Sequence, residues 1–529
     1  MRSLSAFRHQ GFTLGASIAA LFALLLAVPA VPAATTARAR VHAPKWTKAI
    51  DTLLDQPDQQ RGLWGVYIYS LDRHRVLYDR NGERLFTPAS NTKLFTTAAA
   101  LSLLGPDYRF HTAVQTTTPP DAQGVVHGNL VLVGDGDPTL SGRHYPYQVQ
   151  GPNDPPPNPP DQAIQKLADQ IARRGVKVVD GAIIGDDSYF ANEHYADGWS
   201  QDDLVWGYGA AVSALTISDN QRYLEVWPGA AVGQPAVLRM LPDDGSLIVD
   251  NRVRTTPAGS PRDIELYRDF GSRRLIVWGT MPAGSTMDLE TAAVQHPALW
   301  AARLLKRALM QRGIEVLGGI QARHLTPAYL AAPNARPAPD PASFTLATLQ
   351  SPPLWQALQV IDKVSQNLHA ELMLRLIGKI KNSDGSLAGG IAARSAFLAQ
   401  AGLTAHDYYF RDGSGLSREN LVKPQAITRL LIYMDSQPDA AVWRSFLPVA
   451  GEDGSLAHRF RNTPAQGRIL AKTGYVEHVH TLSGYVTTLS GEHLAFSIMV
   501  NNDDMPGSQV FQVMDSICED MVQSPQKHN

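Results

Sequence analysis

A single cysteine, Cys518, stands among 529 residues, so no intrachain disulfide can form and stability must come from buried area. Neither charge sign dominates. With 47 Lys and Arg against 49 Asp and Glu, there is no basic excess of the kind that nucleic-acid binding needs. Hydrophobic residues at 44% and charged ones at 18% are ordinary globular composition, and the length argues for roughly two to four domains.

Long apolar runs are also scarce, and the only one lies at the start. Arg2 and Arg8 precede an apolar stretch from Leu14 to Val28, then Pro29 and the small residues of Val31-Pro32-Ala33-Ala34, which is the pattern of a secretory signal peptide. The run falls short of the roughly 20 residues a membrane-crossing helix needs. Cleavage is expected near Ala33 or Ala34, which would remove two basic residues and no acidic one, leaving 45 against 49, a net of −4. No cysteine follows at a lipid-attachment position. Near the other end, Val510, Val513, Met514, Ile517, Cys518 and Met521 recur at spacings of three and four, so Cys518 is expected on the buried face of a final helix. Asp515, Glu519 and Asp520 there have the wrong sign for a membrane-surface anchor.

Leu63 to Tyr69 is β-branched and aromatic, and Val76 to Tyr78 follows a polar turn at Asp72-Arg73-His74, predicting two paired strands. After Pro88, Leu94 to Leu101 predicts a buried helix that stops before Gly105-Pro106. The character then changes. Thr116 to Pro120 is polar, and Pro152 to Pro160 holds six prolines; both read as loops. Short strand candidates run through Leu130–Val133, Val176–Val179, Ala182–Ile184, Tyr223–Trp227 and Leu275–Trp278, followed by a helix over Pro297–Gln311 and an Ala/Pro linker at Ala331–Ala342. Helical patterning resumes from Leu354 to Ile377, and strands return around Lys472, at Leu482–Val486 and at Leu494–Val500. An α+β domain built from both ends of the chain is thus expected to be interrupted by a largely β insertion of about 230 residues.

Three separated strings carry chemistry. In Ser90-Asn91-Thr92-Lys93 the serine sits at a helix start with a lysine three positions on, so the Lys93 amine can reach the Ser90 hydroxyl while exposed amides lie nearby. A lysine is a base only when neutral, a state favoured by burial and by a second ammonium, here Lys472. Ser365-Gln366-Asn367 supplies a proton relay in Ser365 and an amide in Asn367 that both donates and accepts. Lys472-Thr473-Gly474 lies on a predicted strand, where Lys472 and Thr473 can hold a carboxylate and Gly474 is expected to let a peptide approach the backbone as an added strand. The amides of Ser90 and Tyr475 would form an oxyanion hole. Singly each string is weak, and Ser90 alone would be read as a helix cap; jointly they are the set used by β-lactamases and penicillin-binding proteins.

With these strings the chain resembles the class C low-molecular-mass penicillin-binding proteins, the D-alanyl-D-alanine carboxypeptidases/endopeptidases. Leu132 to Leu140 (LVGDGDPTL), Tyr208 to Leu215 (YGAAVSAL), Asp412 to Arg418 (DGSGLSR) and Leu447 to Gly451 (LPVAG) match as well. The resemblance implies a transpeptidase/β-lactamase-like domain of helices on an antiparallel sheet, interrupted by an insertion of two smaller domains. The expected division is 1–33 signal peptide, 44–112 and 343–529 catalytic part, 113–219 and 291–342 insertion, and 220–290 a nested small β domain. It implies that Ser90 is acylated by the penultimate D-alanine of a peptidoglycan stem peptide, or cuts a D-alanyl-diaminopimelate cross-link, and that β-lactams acylate it as inhibitors. No metal or organic cofactor, nucleic acid or stable membrane anchor is implied, the location would be periplasmic after export across the inner membrane, and a homodimer stays open. Arg418 and Asp186 are the residues expected to grip a zwitterionic side chain. The chain departs from the commonest pattern at Tyr475, where a small hydroxyl residue is usual, and at Gln366, where aspartate is typical; Glu477 also alters the charge beside the cleft.

Three rivals use the same residues differently: a β-lactamase or esterase acting through Ser90 and Lys93, a cell-wall scaffold with a vestigial site, and zinc hydrolysis through His478 and His480, expected side by side on a strand. The first two conflict with the size of the insertion and with the intact set of polar residues. The third lacks the three or four ligands a zinc site needs.

Overall fold

The computed structural model describes residues 45–151, 154–326 and 344–524. The predicted signal segment and the Ala331–Ala342 linker lie outside the described residues. The β-branched and aromatic run around Trp64 forms the almost continuously buried strand Leu63–Ser70, which pairs antiparallel with Arg75–Arg80 on one side and with His493–Asn501 on the other. The sheet continues through Val479–Thr487 to Ile469–Val476 at its far edge, with every neighbour antiparallel. First and last parts of the chain thereby share one sheet, which is what brings the first and third strings together.

Alternate residues of His493–Asn501 serve two cores. Phe496, Ile498 and Val500 face the terminal helices Lys45–Leu54 and Gly507–Val522, packing with Ile50, Val510, Met514 and the buried Cys518. Ala495 and Met499 face the other way, onto a helical layer that includes Thr92–Leu104 and Asn367–Asn382. Helical patterning from Leu354 to Ile377 resolves into two helices, Leu354–Lys363 and Asn367–Asn382, broken where Ser365 takes a left-handed φ of 60°. Among the described residues no helix is long and apolar enough to cross a membrane.

Between these parts lies a second five-stranded sheet, in the order Ile320–Leu325, Ile183–Ala191, Leu130–Val133, His111–Thr116, Phe344–Gln350. Its first three strands are parallel neighbours, and parallel pairing requires crossovers. Gln162–Arg173 supplies one and Pro297–Gln311 the other, so the insertion carries helices as well as strands. The helix Gln162–Arg173 was not foreseen, although Ile164, Leu167, Ala168 and Ile171 give it a buried stripe. Phe344–Gln350, expected with the catalytic part, pairs instead with His111–Thr116. Residues 221–293 form two three-stranded sheets around a core of their own that includes Leu224, Val253, Leu275 and Val277.

Candidate active site

Ser90 lies in a short 3₁₀ turn, Ala89–Asn91, that runs into the helix Thr92–Leu104. The turn is strained, with Ala89 at a φ of 47°, and it is held on two sides. Asn91 donates to Ser483 Oγ at 2.8 Å, which ties it to the sheet. On the other side Gly415, at a φ of 86°, packs so closely that a Cβ there would stand 1.8 Å from the carbonyl oxygen of Ala89.

One helical turn after Ser90, Lys93 is fully buried. Its Nζ lies 2.8 Å from Ser90 Oγ, 2.6 Å from Asn367 Oδ1 and 2.6 Å from the carbonyl oxygen of Ser414. Burial, and next the charge of Lys472, hold the Lys93 amine well below the ordinary lysine range, with Asp412, Asp362 and Glu371 pulling the other way. Two of its three partners are pure acceptors, and they use up the two N–H bonds of a neutral amine. In that neutral state the lone pair faces the Ser90 hydroxyl, the only partner able to donate to it; in the ammonium state Ser90 Oγ accepts instead.

Lys472 Nζ donates to Ser365 Oγ at 2.9 Å and to the carbonyl oxygen of Thr473 at 2.7 Å. Burial lowers it to about 8 against the opposing pull of Asp362. Asp362 is itself pushed up to about 6 by burial, and its Oδ2 accepts from Thr97 at 2.9 Å. This carboxyl under the two amines went unrecognised in the sequence, where nothing but its place three residues before Ser365 marks it. Asp412 and Glu371 were missed too. Glu371 Oε1 accepts the amides of Gly413 and Ser414, each at 2.8 Å, and Asp412 accepts those of Gly415 and Ser417 at 2.8 and 2.7 Å. Together they shape the loop that delivers the Ser414 carbonyl to Lys93.

The strand Ile469–Val476 is a sheet edge, and its first half is covered. Ala450 N–H donates to Ile469 O and Ala471 N–H to Pro448 O, both at 3.0 Å. Two-residue alternation from Ala471 turns the amides of Thr473 and Tyr475 to the same outer side, where no strand covers them. Gly474 has a further, structural reason beside the one expected. A Cβ there would meet Thr481 Oγ1 at 2.2 Å and the Ser90 nitrogen at 2.9 Å, so the glycine lets the Ser90 turn seat against the strand. The same contact makes the amides of Ser90 and Tyr475 neighbours. Thr473 Oγ1 lies 2.6 Å from Ser455 Oγ at the exposed mouth, and Tyr475 is 63% exposed with its ring over His480.

Gln366 caps the helix Asn367–Asn382 through Leu368 N–H at 2.8 Å, while its amide nitrogen donates to Asp219 at 3.3 Å. Asp219 is fully buried; Arg143 at 2.8 Å and His369 at 2.9 Å keep it ionised against the cost of burial. An aspartate at position 366 would face this carboxylate, which explains the neutral amide. Asn367 Nδ2 reaches the insertion as well, donating to the Tyr208 carbonyl at 2.9 Å.

Arg418 stands at the rim, half exposed, donating to the Glu477 carbonyl at 3.2 Å. Asp186 is a correction: it is buried in the insertion sheet, accepting from Ser188 N–H at 2.9 Å and pairing with Arg323 at 3.2 Å, with no contact to the three strings. His478 and His480 are not a strand pair. His478 occupies the turn at a φ of 64°, whereas His480 is buried against Asp503 at 3.2 Å.

Known proteins share this organisation. A D-alanyl-D-alanine carboxypeptidase of Actinomadura sp. (strain R39) is 34% identical over 92% of this chain and 86% of its own length. The D-alanyl-D-alanine carboxypeptidase DacB of Haemophilus influenzae is 25% identical over 83% and 85%. The crystal structure of that organism's penicillin binding protein 4 superimposes with a TM-score of 0.73 at 24% identity, covering 88% of this chain and 97% of the other. A second structure of it, complexed with a novel β-lactam, gives 0.68 at 22% identity over 89% and 97%. Residues 46–521 match the profile of the D-Ala-D-Ala carboxypeptidase 3 (S13) family, to which this chain belongs.

Proposed function

We propose that this chain is a serine D,D-peptidase that hydrolyses D-alanyl-D-alanine ends of peptidoglycan stem peptides through an acyl-enzyme on Ser90. The single observation that carries the reading is the partner set of Lys93, which suits a neutral amine with its lone pair on the Ser90 hydroxyl. Lys93 takes the proton as Ser90 Oγ attacks the carbonyl of the penultimate D-alanine. Negative charge grows on the carbonyl oxygen between the amides of Ser90 and Tyr475. The C–N bond breaks, the leaving D-alanine amine receives a proton through Ser365, and water then cleaves the ester and returns the Ser90 proton. The terminal carboxylate of the substrate meets the Lys472 ammonium and the Thr473 hydroxyl at the open edge of the sheet.

A D-alanyl-diaminopimelate cross-link presents the same bond with a larger leaving group. Arg418, half exposed beside Glu477, is the residue we assign to meet its free carboxylate, and its exposure at the rim supports that role. A β-lactam supplies a strained amide and a carboxylate in the same relative places, so it acylates Ser90 as a penicilloyl ester. The protein acts outside the cytoplasm, in the periplasm, after loss of its leader.

Intact-mass analysis after incubation with benzylpenicillin tests the reading, with Ser90→Ala alongside. One penicilloyl adduct on the parent and none on the variant are expected; an unlabelled parent or an equally labelled variant rejects the assignment. Digestion of cross-linked muropeptides then separates carboxypeptidase from endopeptidase activity.

A further inference from the structure

Far from the serine, four arginines from separate stretches converge on one cavity of about 170 Å³. Arg222 comes from the strand Gln221–Trp227, Arg268 and Arg273 from the loop before Arg274–Pro282, and Arg303 from the helix Pro297–Gln311. Only one carboxylate among the described residues ion-pairs with any of them: Asp244, at 3.1 Å from Arg222 and 3.7 Å from Arg303. Arg268 and Arg273 have backbone carbonyls as partners, those of Ala293 at 2.7 Å and Ser246 at 2.8 Å. Burial and the charge of Arg222 lower Arg268 to about 10, the mark of a cation without its counter-charge. Trp300 also lines the cavity at 4% exposure, and its indole N–H finds no acceptor among the described residues; Arg268 Nε is orphaned in the same way. Buried donors are nearly always satisfied, so converging cations with two orphaned N–H groups lack an anion.

We propose that this cavity binds a phosphate group, with the guanidinium groups of Arg268, Arg273 and Arg303 around its oxygens and the Trp300 indole as a further donor. A carboxylate offers two oxygens in one plane and one charge. Donors arriving from several elements, with three positive charges left over after Asp244, suit the tetrahedrally arranged oxygens of a phosphate better. The basic lining continues into a neighbouring cavity that shares Arg303 and adds Asp244, Lys306 and Arg307. The ligand is therefore either a small phosphate or one unit of a phosphodiester chain lying along this face. The site is independent of the Ser90 chemistry.

Titration calorimetry on the full chain, with inorganic phosphate and with poly(glycerol phosphate) against chloride at matched ionic strength, reads the site directly. Saturable phosphate binding is expected, weakened about tenfold or more in an Arg268→Gln, Arg273→Gln double variant. Acylation of Ser90 by benzylpenicillin should stay unchanged in that variant, which separates this outcome from any failure of the peptidase reading. Polymer binding more than about tenfold tighter per phosphate assigns the phosphodiester chain, and equal affinity assigns a small phosphate. Trp300→Phe keeps the ring and removes the N–H, so several-fold weaker binding is expected from it even if the double variant fails to fold. No saturable binding by the parent, or binding that neither variant weakens, overturns the proposal.

Discussion

The Ser90 pocket and the arginine cavity of the insertion both gather cations, yet they differ in how their donors are matched. Around Lys93 every N–H has an acceptor, and three buried acids stand behind it. Around Arg268 the cations outnumber the carboxylates and two N–H groups have no acceptor among the described residues. The first site is chemically complete before a substrate arrives; the second waits for one. Counting partners against protonation state, rather than counting charges, tells the two apart.

The largest break in this contrast is expected from Lys93→Arg, which puts a permanent cation where a lone pair is needed. Acylation by a fluorescent penicillin should slow by about 10²- to 10⁴-fold while the fold survives, as followed by circular dichroism. Asp219→Ala turns a complete site into an incomplete one by stranding Arg143 and His369, and should cost about 3–5 kcal/mol in urea unfolding. Gly474→Ala pushes a methyl group into Thr481 and the Ser90 turn, and should cost about 1–3 kcal/mol together with a slower acylation rate. The finest test is pH. Lys93 is a base only above its lowered pKa, so kcat/KM falls on the acid side; Lys472 loses its charge above about 8, so it falls on the alkaline side too. A substrate whose terminal carboxylate is amidated should keep the acid limb and lose the alkaline one.

Much of this was legible in the sequence because period and composition act locally. Leu130–Val133 and Pro297–Gln311 fall where alternation and helical spacing put them, and the three strings meet as their chemistry requires. What escaped depends on contacts between distant residues. The break at Ser365 is a left-handed turn inside an unbroken helical pattern, stabilised by the Lys472 contact from the sheet. Asp362, Glu371 and Asp412 are ordinary acids until folding buries them under two lysines. The packing of Gly474 against the Ser90 turn could not be read locally, because that turn is almost four hundred residues away in the chain. Asp186, expected to grip a substrate side chain, is paired with Arg323 of a neighbouring strand, a contact the local sequence does not reveal.

The half-covered edge strand has a last consequence, for self-association. An unpaired sheet border is a template on which further copies can stack, and a typical strand of five or six residues is long enough to do so. Here Pro448 and Ala450 occupy the stretch from Ile469 to Ala471, and only the short remainder toward the protruding Tyr475 ring stays free. That length accommodates the tip of a wall peptide and is too short to nucleate a fibril, so the opening that admits substrate need not compromise colloidal stability.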